Sequence, residues 1–281
     1  MTVLGASGFI GRRLTAALRR RGDHVVTSSV RDPAVAAAAS DGSDVVVNLA
    51  GAPVSVRWTE AAKSAIRTSR VDATRAYLEA LKGIARRPAA YVAGSAVGYY
   101  GTSETATFTE PSPPGDDFLA RVCVEWEAAA SGARELGMRT AIVRTGVVLG
   151  LDGGVLGKLL HTFRLGLGGP IASGRQWCSW IHADDETGIL VHAIDGAEGV
   201  LNGTAPQPVT NAAFTEALAR AVHRPALLPL PAFVGRALFG EGAQLLNEGQ
   251  RVLPDRTVAT GYVFAHPNLD DALASLLARP A

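Results

Sequence analysis

Short runs of Val, Leu, Ile and Ala recur along the first two thirds of the chain, each followed by a stretch whose apolar residues return every three or four positions. Apolar runs without alternation read as strands buried on both faces. Their exchange with helical stretches argues for a parallel sheet covered on both sides. The pattern predicts strands over 2–4, 24–30, 44–49, 89–94, 139–144 and 200–203. A first helix is expected over 9–20, with Ile10, Leu14, Ala17 and Leu18 on one face and Gly22 as its stop. Gly150, Gly153, Gly154, Gly157, Gly166, Gly168 and Gly169 then crowd together too densely for regular structure. They predict a substrate-side loop over 150–180 with a short helix near 156–165. Asp184, Asp185 and Glu186, ahead of Ile189, Leu190, Val191 and Ile194, read as an acidic helix start, with Asp184 or Asp185 as its cap. The last segment carries helices broken by Pro225, Pro229, Pro231, Pro254 and Pro267. The expected architecture is α/β: a Rossmann-type doubly wound parallel sheet over 1–205 and a smaller mixed α/β C-terminal domain over 206–281 on the substrate side.

Composition changes little in this picture. The 281 residues are 47% hydrophobic and 19% charged, enough for a sizeable core and unlike a disordered chain. Lys and Arg number 27 against 26 Asp and Glu, a net charge of +1 that gives no bulk reason to expect nucleic acid or an anionic membrane. The 2 cysteines, Cys123 and Cys178, lie far apart without metal-ligand spacing, so the expectation is no metal and a reducing compartment. The chain starts directly in an apolar strand with no signal-peptide pattern, and no apolar run approaches about 18 residues. A cytoplasmic protein with a small-molecule partner is expected, as monomer or homodimer.

The strongest chemical signal is the turn Gly5-Ala6-Ser7-Gly8-Phe9-Ile10-Gly11 between a predicted strand and helix. The first glycine makes the tight turn, the second lets backbone N–H groups approach a pyrophosphate, and the third lets helix pack on sheet. The strand and helix context is what raises a glycine triplet above chance. Ser7, Phe9 and Ile10 join the three glycines as expected contacts of a nicotinamide dinucleotide. Where a NAD site offers a carboxylate to the ribose 2′-hydroxyl, the strand 24–30 ends in Arg31, whose guanidinium suits a 2′-phosphate. The reading favours NADP over NAD. Asp32, if turned inward, would serve NAD instead.

Further motifs carry a family resemblance: VVNLAG at 46–51, SRVDAT at 69–74, GSAVGYYG at 94–101, FLARVCVEWE at 118–127, RTGVVLG at 144–150, GLGGPIASGRQWCSWIH at 166–182 and NEGQRVLPDRTVATGYVF at 247–264. Together with the glycine turn they resemble extended short-chain dehydrogenase/reductases, in an atypical epimerase-family branch related to sugar-nucleotide epimerases and carrying a C-terminal domain of unknown function. The resemblance implies that Leu49, Ala50 and Gly51 make room for the adenosine ribose and diphosphate. It also implies that Arg70 reaches the cofactor phosphates and that Val147 covers the nicotinamide end.

Enzymes of this kind use a Ser or Thr against the substrate oxygen and a Tyr-x-x-x-Lys pair in which lysine lowers the tyrosine pKa. Ser95 matches the serine. Leu119 and Cys123 stand where the tyrosine and lysine belong, so the usual pair is absent. Tyr99 and Tyr100 follow Ser95 closely and offer phenols to the same site, with core packing as the other reading of each. Cys123, beside Val122, Val124 and Trp126, reads as a buried, inert thiol. Trp177, Trp180 and His182 read either as a pocket wall or as the approach to the following helix. Arg57, Arg251 and Arg256 read either as anion contacts of the cleft or as solvated surface charges. The expected function is an NADP(H)-dependent oxidoreductase or epimerase-like enzyme acting on a small carbonyl, hydroxyl or sugar-nucleotide substrate. The alternative is a non-catalytic NADP(H)-binding regulatory or interaction protein.

Overall fold

The computed structural model describes residues 1–278; the last three residues of the predicted 206–281 domain lie outside the described residues. The chain opens with β1 (Thr2–Leu4), α1 (Phe9–Arg21), β2 (Val26–Ser28), α2 (Pro33–Ala39), β3 (Val45–Asn48), α3 (Glu60–Thr68), α4 (Val71–Leu81) and β4 (Ala90–Ala96). It continues through β5 (Thr107–Phe108), α5 (Phe118–Ser131), β6 (Arg139–Thr145), β7 (Val147–Leu149), α6 (Gly154–Arg164), β8 (Trp177–Cys178), β9 (Trp180–His182), α7 (Ala183–Asp195) and β10 (Gly199–Gly203). The remainder holds β11 (Val209–Thr210), α8 (Asn211–Ala221), α9 (Ala232–Phe239), α10 (Gln244–Asn247), β12 (Arg251–Val252), α11 (Asp255–Ala259) and α12 (Leu269–Ala278).

Six parallel strands form the central sheet in the order β10-β6-β4-β3-β1-β2. The order reverses at β1, so the glycine turn that follows β1 stands at the switch point where doubly wound sheets bind their ligands. Adjacent residues on each strand serve opposite faces. Val3, Val47, Val92 and Val143 pack with Leu14 and Leu18 of α1 and with Ile189 and Leu190 of α7. Leu4, Val46, Tyr91 and Ile142 pack on the other side against Tyr77, Leu78 and Leu81 of α4 and Ala130 of α5. Both faces being covered explains why the strands read as unbroken apolar runs.

Strand lengths differ from expectation for a reason set by position in the sheet. β2 is an edge strand bonded to β1 alone, and only Val26–Ser28 of the expected 24–30 is paired. β4 is central, and its ladder with β6 runs on to Ala96 opposite Thr145. Ser95 therefore lies inside a strand, not after one.

Helix α7 returns from the carboxyl edge of the sheet to the opposite edge, where Arg139 at the start of β6 donates to the carbonyls of Ala193 and Ile194. Its cap is not an aspartate: Nδ1 of His182 accepts from the Asp184 N–H at 3.0 Å. Asp185 is instead buried and turned toward the tail, accepting from the Tyr262 hydroxyl and from the N–H groups of Ala265 and His266.

The dense glycines after β7 have a packing cause. A Cβ on Gly150 or Gly153 would come within 2.6 Å of the Phe9 ring, so the segment lies against the start of α1. Beyond it, Leu156, Leu160 and Phe163 of α6 share one core with Trp180, Leu218 of α8 and Leu273 of α12. Short β12 pairs with β5. The buried Glu110 carboxylate accepts from the N–H groups of Asn202, Arg256 and Thr257, tying the end of the sheet to α11. Among the described residues, no helix is long and apolar enough to cross a membrane.

Candidate functional site

Gly5 adopts φ +79°, a conformation open to glycine, and its carbonyl accepts from the Gly8 N–H at 3.1 Å. A Cβ on Gly5 would sit 2.8 Å from the Ala50 nitrogen, and one on Gly11 would overlap the Gly5 carbonyl oxygen. The turn is thus pressed between the Leu49-Ala50 segment and the first turn of α1. Gly8 is the N-cap of α1 and supplies no side-chain cap, which leaves first-turn N–H groups to an anion. Ser7 is exposed beside them, its carbonyl accepting from Arg12 at 2.7 Å. Ile10 is half-buried against the sheet, and Phe9 turns its ring toward Gly150 and Gly153. This cradle fits a dinucleotide pyrophosphate: small residues where the backbone must be reached, and unclaimed N–H donors aimed along the helix axis.

Toward the outer edge, Arg31 is exposed just past β2. Asp32 next to it is committed elsewhere, its Oδ1 accepting from Ala34 and Val35 N–H groups at 3.1 Å to cap α2. Behind Leu49, Ala50 and Gly51 lies the guanidinium of Arg70. It donates to the carbonyl of Ala52 at 2.9 Å, lies 5.2 Å from the Trp126 ring centre, and would be struck by any Cβ on Gly51. Burial lowers the Arg70 pKa from its ordinary value.

The other end of the cradle is the carboxyl edge of β4 and β6. Ser95 is 5% exposed, and its hydroxyl donates to Glu127 Oε1 at 2.7 Å. Glu127 is gripped by Arg144, whose Nε and Nη2 donate to the two carboxylate oxygens at 2.8 Å each. Burial works against the Arg144 charge, and Glu127 overcomes it, holding the guanidinium above its usual pKa. The same guanidinium lies 3.3 Å from the Tyr99 ring centre and donates to the Tyr100 hydroxyl at 2.9 Å. Tyr100 is 2% exposed, donates to Asn202 Oδ1 at 2.7 Å, and burial pushes its pKa up to about 12. Tyr99 is half-buried and edge-on to Tyr100. Leu119, one turn before Cys123 on α5, packs on Gly98. Cys123 is buried, and burial pushes its thiol up to about 12. Val147 is half-buried, and its N–H donates to the Ser179 carbonyl at 2.8 Å.

The structure separates the remaining candidates. Trp180 is fully buried, and Trp177 carries the Arg251 guanidinium 4.9 Å from its ring centre. Arg57 donates to the Ala237 carbonyl, while Arg256 packs on Gly199 at the amino end of β10, away from the cofactor edge. Glu127 and Arg144 lay inside quoted motifs yet were not singled out by sequence reasoning. The signal for Glu127 was a helix face, since Leu119, Cys123 and Glu127 recur every four residues toward Ser95; Arg144, on β6, had none of that kind.

The profile of the NAD dependent epimerase/dehydratase family matches residues 1–205, the greater part of the chain. The chain belongs to this family. A domain of unknown function, DUF1731, matches residues 230–276. Among the family's curated members, epimerase family protein SDR39U1 of Homo sapiens is 43% identical, with 98% of each chain covered. YfhF of Bacillus subtilis is 36% identical, with 99% of this chain and 98% of YfhF covered. The crystal structure of human SDR39U1 (isoform 2) with NADPH superposes at a TM-score of 0.90, with 40% identity and 99% of each chain covered. A Corynebacterium glutamicum nucleoside-diphosphate sugar epimerase superposes at 0.80 with 33% identity, covering 98% of this chain and 57% of that one. As a family member the protein is an NAD(P)-binding protein of the short-chain dehydrogenase/reductase type, on the expected Rossmann-like fold.

Proposed function

We propose that the protein is an NADP(H)-dependent oxidoreductase or epimerase-like enzyme acting on a small carbonyl, hydroxyl or sugar-nucleotide substrate. The observation that carries the choice of NADP is the division of labour at the end of β2: Arg31 stands exposed, while Asp32 spends its carboxylate on the α2 cap. A bound relative with NADPH supports the same choice. Gly5, Ser7, Gly8, Phe9, Ile10 and Gly11 hold the pyrophosphate through backbone groups. Leu49, Ala50 and Gly51 flank the ribose, with Arg70 behind them fixing that turn. Val147 covers the nicotinamide end.

When bound, the nicotinamide would supply or accept the hydride. Ser95 donates its hydroxyl hydrogen bond to Glu127 and so keeps its oxygen lone pairs for a substrate hydroxyl. Tyr99 is the phenol left at the cleft, with Arg144 against its ring as the nearby cation. Tyr100 supports Arg144 from within. The two free, buried or half-buried cysteines suit a reducing compartment such as the cytoplasm.

A second reading, a NADP(H)-binding regulatory protein, is favoured by one observation: the hydroxyls of Ser95 and Tyr100 are both already bonded within the protein. Titration with NADPH and NADH, followed by a turnover screen over carbonyl compounds, alcohols and sugar nucleotides, separates the readings. NADPH binding with turnover supports the enzyme. Tight NADPH binding without turnover across these classes supports the regulator, and a preference for NADH removes the NADP assignment from both.

A further inference from the structure

Glu186 lies in the first turn of α7, against the last residue of β6. It is fully buried. Its Oε1 accepts the Thr145 hydroxyl at 2.7 Å, and its Oε2 has no hydrogen-bond partner. β10 makes room for it with Gly203, where any Cβ would overlap that second oxygen. An acid in this place is unexpected, because the same helix face otherwise buries Ile189, Leu190 and Ala193.

The charges around it are occupied with other partners. Arg13 of α1 pairs with Asp184 and Asp152. Asp185 faces the tail, where it bonds the Tyr262 hydroxyl, and burial keeps that phenol protonated. His182 of β9 caps α7 and stacks on His266, and Arg144 of β6 serves Glu127 on the opposite face. Burial and the Thr145 bond are what act on the Glu186 carboxyl, and burial dominates, moving its pKa up to about 7.

Thr145 stands opposite Ala96 at the carboxyl edge, one position beyond the Ser95–Arg144 pair. In a doubly wound sheet whose 2′-phosphate end is at β2, that edge is where the nicotinamide ring lies. The oxidised ring carries a positive charge that the reduced ring lacks. We propose that Glu186 acts through space on the nicotinamide end, without touching it, so that the site favours the oxidised over the reduced dinucleotide. The inference rests on the NADP(H) reading above. A buried carboxyl without a cation is costly to ionise, and a positive ring beside it supplies the missing counter-charge. By linkage, binding the oxidised form draws a proton off Glu186, and binding the reduced form does not.

The test is to titrate wild type with NADP⁺ and with NADPH from about pH 5.5 to about pH 8.5 and follow the ratio of the two dissociation constants. The 2′-phosphate titrates in both forms and cancels in the ratio. The ratio is expected to move toward NADP⁺ by roughly tenfold as pH rises through the Glu186 transition. Calorimetry in buffers of different ionisation heat is expected to show proton release with NADP⁺ alone. Glu186→Gln should flatten both signals, and Thr145→Val, which removes the one bond to the carboxylate, should move the midpoint to higher pH. A flat ratio in wild type, or an unchanged slope in both variants, overturns the proposal while leaving NADP(H) binding intact. Failure to bind either form overturns the NADP(H) reading and this inference with it.

Discussion

Arg144 holds both carboxylate oxygens of Glu127 at 2.8 Å, side by side, at the end of the strand where the short-chain enzymes keep their reactive groups. The pair is buried on both sides, and each member has a second duty: Glu127 accepts from Ser95, and Arg144 donates to Tyr100. A network of this kind is fully satisfied or costly, because a lone charge left in the interior has no solvent to turn to.

Glu127→Ala should therefore destabilise the protein by about 3–5 kcal/mol, since Arg144 stays charged without its partner. Replacing both residues with apolar ones of similar volume should cost far less than either single change. Urea unfolding of the two single variants and the double variant checks this. Additive losses would show that the two side chains do not depend on each other.

The glycine turn gives a contrast between two positions. Gly11→Ala places a Cβ into the Gly5 carbonyl and should lower both stability, by about 1–3 kcal/mol, and cofactor affinity. Gly8→Ala meets only the Gly5 oxygen, at 3.3 Å, and should leave the melting temperature nearly unchanged while weakening NADPH binding. Thermal melts with and without NADPH separate the two effects.

Arg31 and Asp32 should part company despite being neighbours. Arg31→Ala is expected to weaken NADPH binding by about 1.5–3 kcal/mol, the worth of hydrogen bonds to a charged group, and to leave NADH binding alone. Asp32→Ala loses a helix cap worth about 1 kcal/mol of stability and should not alter the preference between the two cofactors. Fluorescence titration of both variants with both cofactors reads the difference.

Glu186 predicts a pH dependence of stability with a definite sign. Its carboxyl titrates near 4.5 in the unfolded chain and at about 7 in the fold, so the folded state binds the extra proton between those values. Stability from this group is fully present below about pH 4.5 and is lost as pH rises through about 7, a difference of roughly 3 kcal/mol. Glu186→Gln should remove that slope and leave the variant the more stable form at alkaline pH. Urea midpoints at acid and alkaline pH check it.

Much of the fold was legible because its signals are local. The glycine turn, the apolar runs and the stop at Gly22 each lie within a few residues of what they determine, and the sheet follows from their order. The cradle half of the site shared that advantage. What escaped sequence reading was tertiary. The reason for Gly150 and Gly153 is a ring at Phe9. The partner of Ser95 comes from a helix that shows there only a leucine and a cysteine where a catalytic pair was sought. His182 took the capping role expected of an aspartate because β9 delivers its ring, not a carboxylate, to the N–H of Asp184. The burial of Glu186 was hidden by its acidic neighbours, which read together as one solvated helix start.

Glu110 has a bearing on biosynthesis. Its carboxylate waits for donors from Arg256 and Thr257, and Asn202 beside it gives its side-chain amide to the Leu253 carbonyl. On a ribosome, the strands and the glycine turn emerge and can pair long before residue 257 clears the exit tunnel. The carboxyl edge of β4 and β6, by contrast, stays unfinished until residues 256 and 257 have followed. The cradle around the glycine turn therefore closes through contacts near in sequence, whereas the Tyr100–Asn202 end of the cleft depends on a contact spanning 147 residues and is the later of the two to form.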